Sequence, residues 1–188
     1  MVKVVVVNGS PGSGKTTFEK MCDDKCFFDS EPGYYKNTHL TVKLLSTVDR
    51  VKELALTMGW DGTKSPRNRK FLSDLKDLLT NWNDLPFRAV KHEIDHMCKE
   101  GGDWLVFVDC REPEEIQRFK DTYNATTLLI RRESAETAGT SNHADANVLN
   151  YKYDLTIENN SDIIDLENKV DSFIEYMRGA PHYEYNGQ

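Results

Sequence analysis

Cysteine is scarce in this chain. Its four thiols, Cys22, Cys26, Cys98 and Cys110 among 188 residues, show no paired CxxC spacing. Neither a cysteine metal site nor a disulfide framework is therefore expected, and free, mostly buried thiols are. Positive charge is in deficit as well. The 24 Lys and Arg against 31 Asp and Glu leave a formal charge of −7. That balance argues against a nucleic-acid or membrane partner, since a sequence-independent grip on either needs a basic face. A local basic patch for a small anion stays compatible with it. Long apolar runs are missing too, none approaching the ~20 residues of a membrane span. Met1 leads directly into a strand pattern without a charged-then-apolar leader, so a cytoplasmic location is expected.

What the chain does hold is an alternation of strand-length apolar runs with helical periods. Val2–Val7 is a continuous β-branched run, the pattern of a strand buried on both faces of a parallel sheet. Further runs lie at Thr41–Leu45, Trp104–Val108, Thr126–Ile130 and Tyr153–Ile157. A helix is expected over Lys15–Met21, and apolar residues recur at helical spacing around Val48–Ala55, Phe71–Leu79, Phe87–Met97 and Ile163–Met177. Strands alternating with helices predict a parallel α/β sandwich. At ~150 residues per domain the length predicts one domain, over 1–178, as a monomer or homodimer. Ser30–Leu40 and Glu133–Lys152 resist regular assignment and read as binding loops or lids, and Gly179–Gln188 as a mobile tail.

Gly9-Ser10-Pro11-Gly12-Ser13-Gly14-Lys15-Thr16 fits G-x-x-x-x-G-K-[ST] between a buried strand and a helix. Glycines let such a loop curl so that backbone N–H groups point at phosphate oxygens, at the positive end of a helix. Lys15 would reach the β- and γ-phosphates of a nucleoside triphosphate, and the Thr16 hydroxyl would bind Mg²⁺. A plain glycine-rich turn explains the glycines but not the Lys-Thr pair.

Asp109 ends a second buried strand, where a carboxylate would hold the Mg²⁺ shell; the alternative is a cap for the helix starting near Pro113. Arg111 shares that edge, and Leu128-Leu129-Ile130 ends in Arg131-Arg132, opening the long polar segment. Arginines there suit a lid that neutralises a transferring phosphoryl group, or a solvated strand end. Lys64–Lys70 places cations at a helix start, against the macrodipole, which an anionic ligand or plain solvation would explain. His92-Glu93-Ile94-Asp95-His96 contains H-E-x-x-H, a helical zinc signature. Its charged flank and the lack of a compelling third ligand favour a solvated helix face. No Asn-Lys-x-Asp stretch marks a GTPase.

The segments GSPGSGKTT, STVDRVKELA, RNRKFLSDLK, FVDCREPEEIQRF, LLIRR with a His-Ala-Asp segment, and YDLTIENN together resemble phage-type deoxynucleoside monophosphate kinases. More distantly the chain is similar to animal-type phosphomevalonate kinases. The resemblance covers nearly the whole chain and implies a P-loop kinase three-layer sandwich with a five-stranded parallel sheet, a lid near 132–152, ATP with Mg²⁺ as donor and a small phosphorylated acceptor. It implies that Gly9, Ser10, Gly12, Ser13, Gly14, Lys15, Thr16 and Thr17 hold ATP-Mg, with Asn159 near the adenine. Asp109 would organise Mg²⁺ or the acceptor phosphate. Arg111, Arg69 and Lys70 would hold the acceptor, Arg131 or Arg132 would close from the lid, and Asp49 would touch the acceptor's base or sugar unless it caps the next helix.

Overall fold

The valine run forms the spine of the molecule. The computed structural model describes residues 1–28, 40–63, 65–136 and 148–179. Strand β1 (Val2–Asn8) is buried along its whole length. It pairs in parallel with β3 (Trp104–Asp109) on one side and β4 (Thr126–Arg131) on the other. Strand β2 (Thr41–Ser46) adds outside β3 and β5 (Leu155–Glu158) outside β4, so the five-stranded sheet is all-parallel with the order β2-β3-β1-β4-β5. The strand order reverses direction at β1, and open α/β sheets bind ligands beyond the strand ends at such a point.

Helices cover both faces. On one face α1 (Lys15–Phe28) and α7 (Ile163–Gly179) bring Phe18, Cys22, Cys26, Val170 and Phe173 onto Val5, Val7, Phe107 and Ile130. The opposite face packs α4 (Leu85–Glu100) and α5 (Pro113–Tyr123) against Val4, Val6, Val106 and Val108 through Phe87, Ile94, Ile116 and Phe119. Alternation along β1 therefore supplies both cores, as a strand with period two must. Lys3 is the one charge in the run. It is buried, and its ammonium donates to the carbonyls of Met177 and Arg178, where a cation meets the negative end of α7. A third, smaller cluster joins α2 (Asp49–Thr57) to α3 (Pro66–Asn83) through Val51, Ala55 and Leu75. A one-turn helix α6 (Glu133–Glu136) follows β4, and a 3₁₀ turn spans Val148–Asn150. No helix among the described residues is long and apolar enough to cross a membrane.

The sheet and the expected helices are present, with three differences at their edges. Helix α1 runs to Phe28, well past Met21, because the buried thiols of Cys22 and Cys26 extend the face begun by Phe18. Small and apolar, a free thiol serves as a core residue. The last strand begins at Leu155 and not at Tyr153: the Asp154 carboxylate accepts from Thr127 N at 2.9 Å and Thr127 Oγ1 at 2.8 Å, occupying the ladder position. Strand β2 is half-exposed because it lies at the sheet edge. Residues 137–147, including the His-Ala-Asp segment, most of the stretch before Leu40, Lys64, and the tail after Gly179 lie outside the described residues.

The Phe18 ring sits fully buried between Phe173, 5.2 Å away centre to centre, and Phe107 at 6.5 Å. Phe18→Ala is expected to cost about 3–5 kcal/mol in denaturant unfolding. The same truncation at Trp82, 79% exposed on α3, should change stability by less than about 0.5 kcal/mol.

Candidate functional site

Residues 9–14 carry β1 into α1 through backbone that only glycine adopts easily. Gly9 and Gly14 have φ of 154° and 99°. A Cβ on Gly9 would lie 2.3 Å from the Ile130 carbonyl oxygen, and one on Gly14 2.3 Å from Asn159 Nδ2. At these two positions the loop meets the ends of β4 and β5 with no room for a methyl group. Ser13 N donates to Ser10 O at 3.0 Å and Lys15 Nζ to Gly9 O at 2.6 Å, so the chain curls back on itself. Thr16 and Thr17 are exposed in the first turn of α1, where amide groups have no acceptor inside the helix. Ser13 Oγ is buried without a hydrogen-bond partner among the described residues. A curled loop, an orphaned hydroxyl, a helix N-terminus and a lysine form a donor-rich concavity suited to an anion.

Two asparagines brace this loop. Asn8 is fully buried; its Oδ1 accepts from Gly9 N at 2.8 Å while its Nδ2 donates to Tyr153 Oη at 2.8 Å and Arg111 O at 3.3 Å. Tyr153 in turn donates to Val148 O at 2.8 Å. Asn159, just past β5, donates to Ser13 O at 2.8 Å. The geometry thus places the Asn159 amide on the loop itself.

Across from the loop, Asp109 ends β3 in register with Val7 and Ser46. Burial pushes its carboxyl above the usual range, and the nearby charges of Lys15, Arg111 and Lys52 pull the other way. A further carboxylate, which sequence reasoning passed over, stands close by. Glu19 is only 4% exposed and one turn beyond Lys15. Burial and then the Asp109 charge push its pKa up to about 8 against the pull of Lys15. Its signal in the sequence was a charge on the apolar face made by Phe18, Cys22 and Cys26.

The remaining expected residues divide by how they are engaged. Arg111 is half-buried beside Asp109. Asp49 opens α2, accepts from Ser46 N at 2.9 Å and pairs with Lys52 at 3.5 Å, fastening the turn after β2. It lines a groove of about 900 Å³ with Ser46, Arg50, Arg88 and His92, to which no residue of the Gly9–Thr16 loop contributes. Arg69 and Lys70 are exposed on the first turns of α3, and Lys70 pairs with Asp74 at 2.8 Å. Arg131 is held by both oxygens of Glu136, at 2.8 and 2.9 Å, and by Glu158 at 3.2 Å. Those carboxylates raise its pKa above the ordinary arginine value. Arg132 is exposed, and its carbonyl accepts from Ala135 N and Glu136 N, which starts α6. Helix α6 reaches the loop, with Ala135 Cβ 3.9 Å from the Cβ position of Gly12. His92 and His96 are both exposed on α4, with His96 Nδ1 3.2 Å from Glu100. Among the described residues no group of three His, Cys, Asp or Glu is placed to hold a metal ion.

No protein-family model matches the chain, and no curated protein matches it in sequence. Solved structures do match. Dephospho-CoA kinase from Campylobacter jejuni superposes with a TM-score of 0.50 at 15% identity, covering 94% of this chain and 97% of that one. APS kinase from Mycobacterium tuberculosis, solved in complex with AMPPNP and APS, gives 0.50 at 12% identity, with 95% and 98% covered. A sugar kinase from Janibacter sp. HTCC2649 gives 0.50 at 14%, with 97% and 100% covered. At these identities the likeness speaks for architecture: the chain has the P-loop kinase fold, with the Gly9–Thr16 loop at the end of its central strand.

Proposed function

We propose that the protein is an ATP-dependent kinase that passes the γ-phosphoryl group to the phosphate of a small acceptor, a (deoxy)nucleoside monophosphate being the acceptor its sequence resembles most. The observation that carries this reading is the meeting of three features at the switch point of the sheet. A donor-rich loop, the Lys15 ammonium and the Asp109 carboxylate stand together at the ends of β1 and β3. Phosphoryl transfer needs positioning and charge neutralisation and no protein nucleophile, which such a set supplies.

The amides of residues 9–17 and the Ser13 hydroxyl would receive the triphosphate, with Lys15 leaving Gly9 O to reach its outer phosphates. Asn8 and Asn159 keep the loop in shape for that. Mg²⁺ commonly takes one or two protein oxygens beside substrate phosphates, and Thr16 Oγ1 with Asp109 fits that donor set; when bound there the ion would spread the charge of the transferring group. Arg111, half-buried beside Asp109, would hold the acceptor phosphate there. Asp49, Arg69 and Lys70 would complete the acceptor side. Exposed pairs such as Lys70 with Asp74 are worth under about 1 kcal/mol, so an acceptor phosphate can outcompete them. Arg131 is bound by two carboxylates, so Arg132 is the arginine available to close on the phosphoryl group.

Dephospho-CoA, APS and sugar kinases share this architecture by name while differing in acceptor. A phosphomevalonate-type kinase is accordingly the second reading, and a nucleotide-binding module without turnover the third.

Purified protein with ATP-Mg is expected to form ADP with at least one member of a panel of nucleoside and deoxynucleoside monophosphates. Turnover with phosphomevalonate alone would favour the second reading, and tight ATP binding without ADP formation the third. Lys15→Ala should lower kcat/KM at least a thousandfold, about 4 kcal/mol of transition-state stabilisation. The two arginines should separate: Arg132→Ala should lower kcat by tenfold or more with unchanged melting temperature. Arg131→Ala should lower the melting temperature measurably, because it unties β4 from α6 and β5.

A further inference from the structure

Strands β1 and β3 run side by side up to Val7 and Asp109, and Cys110 N still reaches Val7 O at 3.4 Å. Beyond that step the two chains part. The first runs through the Gly9–Thr16 loop into α1 on one face of the sheet, and the second runs past Arg111 into α5 on the other. Asn8 stands at the parting. It is fully buried, and its side chain bonds to both departing chains: Oδ1 accepts from Gly9 N at 2.8 Å and Nδ2 donates to Arg111 O at 3.3 Å. Nδ2 also donates to Tyr153 Oη at 2.8 Å, and the phenol gives its own hydrogen to Val148 O, again at 2.8 Å. Burial pushes the pKa of that phenol up to about 12, so the hydrogen stays in place. Donors and acceptors match in one orientation only. An inverted Asn8 amide would set Nδ2 against the Gly9 N–H and Oδ1 against the Arg111 carbonyl. A buried network whose members are all satisfied is stiff. A fifth valine after Val4–Val7 would make none of these side-chain bonds.

We propose that Asn8 is a positioning residue for Arg111: its amide ties the Arg111 backbone to the Gly9 amide and so fixes the place of the arginine relative to the phosphate loop. This deepens the kinase reading above and rests on it, since that reading puts ATP on the loop and the acceptor phosphate on Arg111. In-line transfer depends on the distance and angle at which the two phosphates are held, and a misplacement of about 1 Å can cost about a hundredfold in rate. The loop and Arg111 belong to chains bound for opposite faces of the sheet, and the Asn8 amide spans them where they separate. Tyr153 holds that amide from a third side and acts on Arg111 through it.

The test is a double-mutant cycle in kcat/KM for the acceptor at saturating ATP-Mg, so that a weakened hold on ATP is not read. The acceptors offered are the nucleoside and deoxynucleoside monophosphates and phosphomevalonate, and the cycle is run on the one turned over fastest. Asn8→Ala should lower kcat/KM by about tenfold or more in the unaltered chain and by less than about threefold in an Arg111→Ala background. Tyr153→Phe keeps the ring and loses the hydroxyl. It should cost about threefold or more in the unaltered chain and less than about twofold beside Arg111→Ala, and it carries the test alone where Asn8→Ala does not fold. A residue that merely stabilises the fold would cost the same factor in both backgrounds. Equal factors therefore overturn the proposal, as does full activity in a folded Asn8→Ala or Tyr153→Phe protein, or an Arg111→Ala protein without loss. No turnover of any of these acceptors by the unaltered protein overturns the kinase reading and the role of Asn8 with it, a result that no behaviour of the variants can imitate.

Discussion

At Gly9 and Gly14 the loop backbone has no spare room, and the candidate site follows from that. A single methyl at Gly9 or Gly14 would stand 2.3 Å from the Ile130 carbonyl oxygen or the Asn159 amide. The turn from β1 into α1 is therefore clamped between the ends of β4 and β5, and its shape is set by strands more than a hundred residues away. Asn8 locks the entry and Asn159 the exit. With both ends fixed, α1 has to begin at Lys15, and its first-turn amides have to face the same concavity as Ser13 Oγ. A loop held so tightly keeps its donors in place before any anion arrives, which is the condition under which such donors act most strongly.

Charge at the rim follows from this packing. Asp109 and Glu19 are two carboxylates out of water in one neighbourhood, and burial raises both pKa values while Lys15 lowers them. An isolated pair of that kind would be costly, since each desolvated carboxylate prefers its neutral form. Cations close the account: Lys15, Arg111 and Lys52 all act on Asp109. The cluster is thus near balance without a ligand. A triphosphate brings negative charge, so its arrival with a divalent cation, which offsets part of that charge, disturbs the balance less than its arrival alone.

Much of this was readable in the order of residues, for local reasons. The β-branched run at Val2–Val7 can only be a strand buried on both faces, and Gly-x-x-x-x-Gly-Lys-Thr can be recognised because its chemistry is contained in eight consecutive residues. Residues whose work depends on distant contacts were not readable in that way. Asn8 and Tyr153 are 145 positions apart, and nothing in either's neighbourhood announces the other. Asn159, expected near the adenine, donates to Ser13 O, a contact 146 positions long. Arg131 and Arg132 look alike in sequence; only the placement of Glu136 and Glu158 tells them apart. Glu19 did leave a trace, a charge at an apolar position of an amphipathic helix, and a helical wheel drawn on α1 would have exposed it.

The two sides of the proposed site differ in stiffness, and the difference bears on which half of the proposed reaction the sequence can name. On the proposed donor side the contacts are buried: Asn8 and Asn159 are enclosed, and Gly9 and Gly14 are sterically pinned against the ends of β4 and β5. Constraint of that kind leaves a compact motif, because few sequences satisfy it. On the proposed acceptor side Asp49, Arg69 and Lys70 are exposed, and Asp49 and Lys70 pair with neighbours three and four residues away. Pairs of that type are worth under about 1 kcal/mol and dissolve when a better partner comes. Many sequences would serve equally well there, so the proposed acceptor leaves a weaker imprint than the proposed donor.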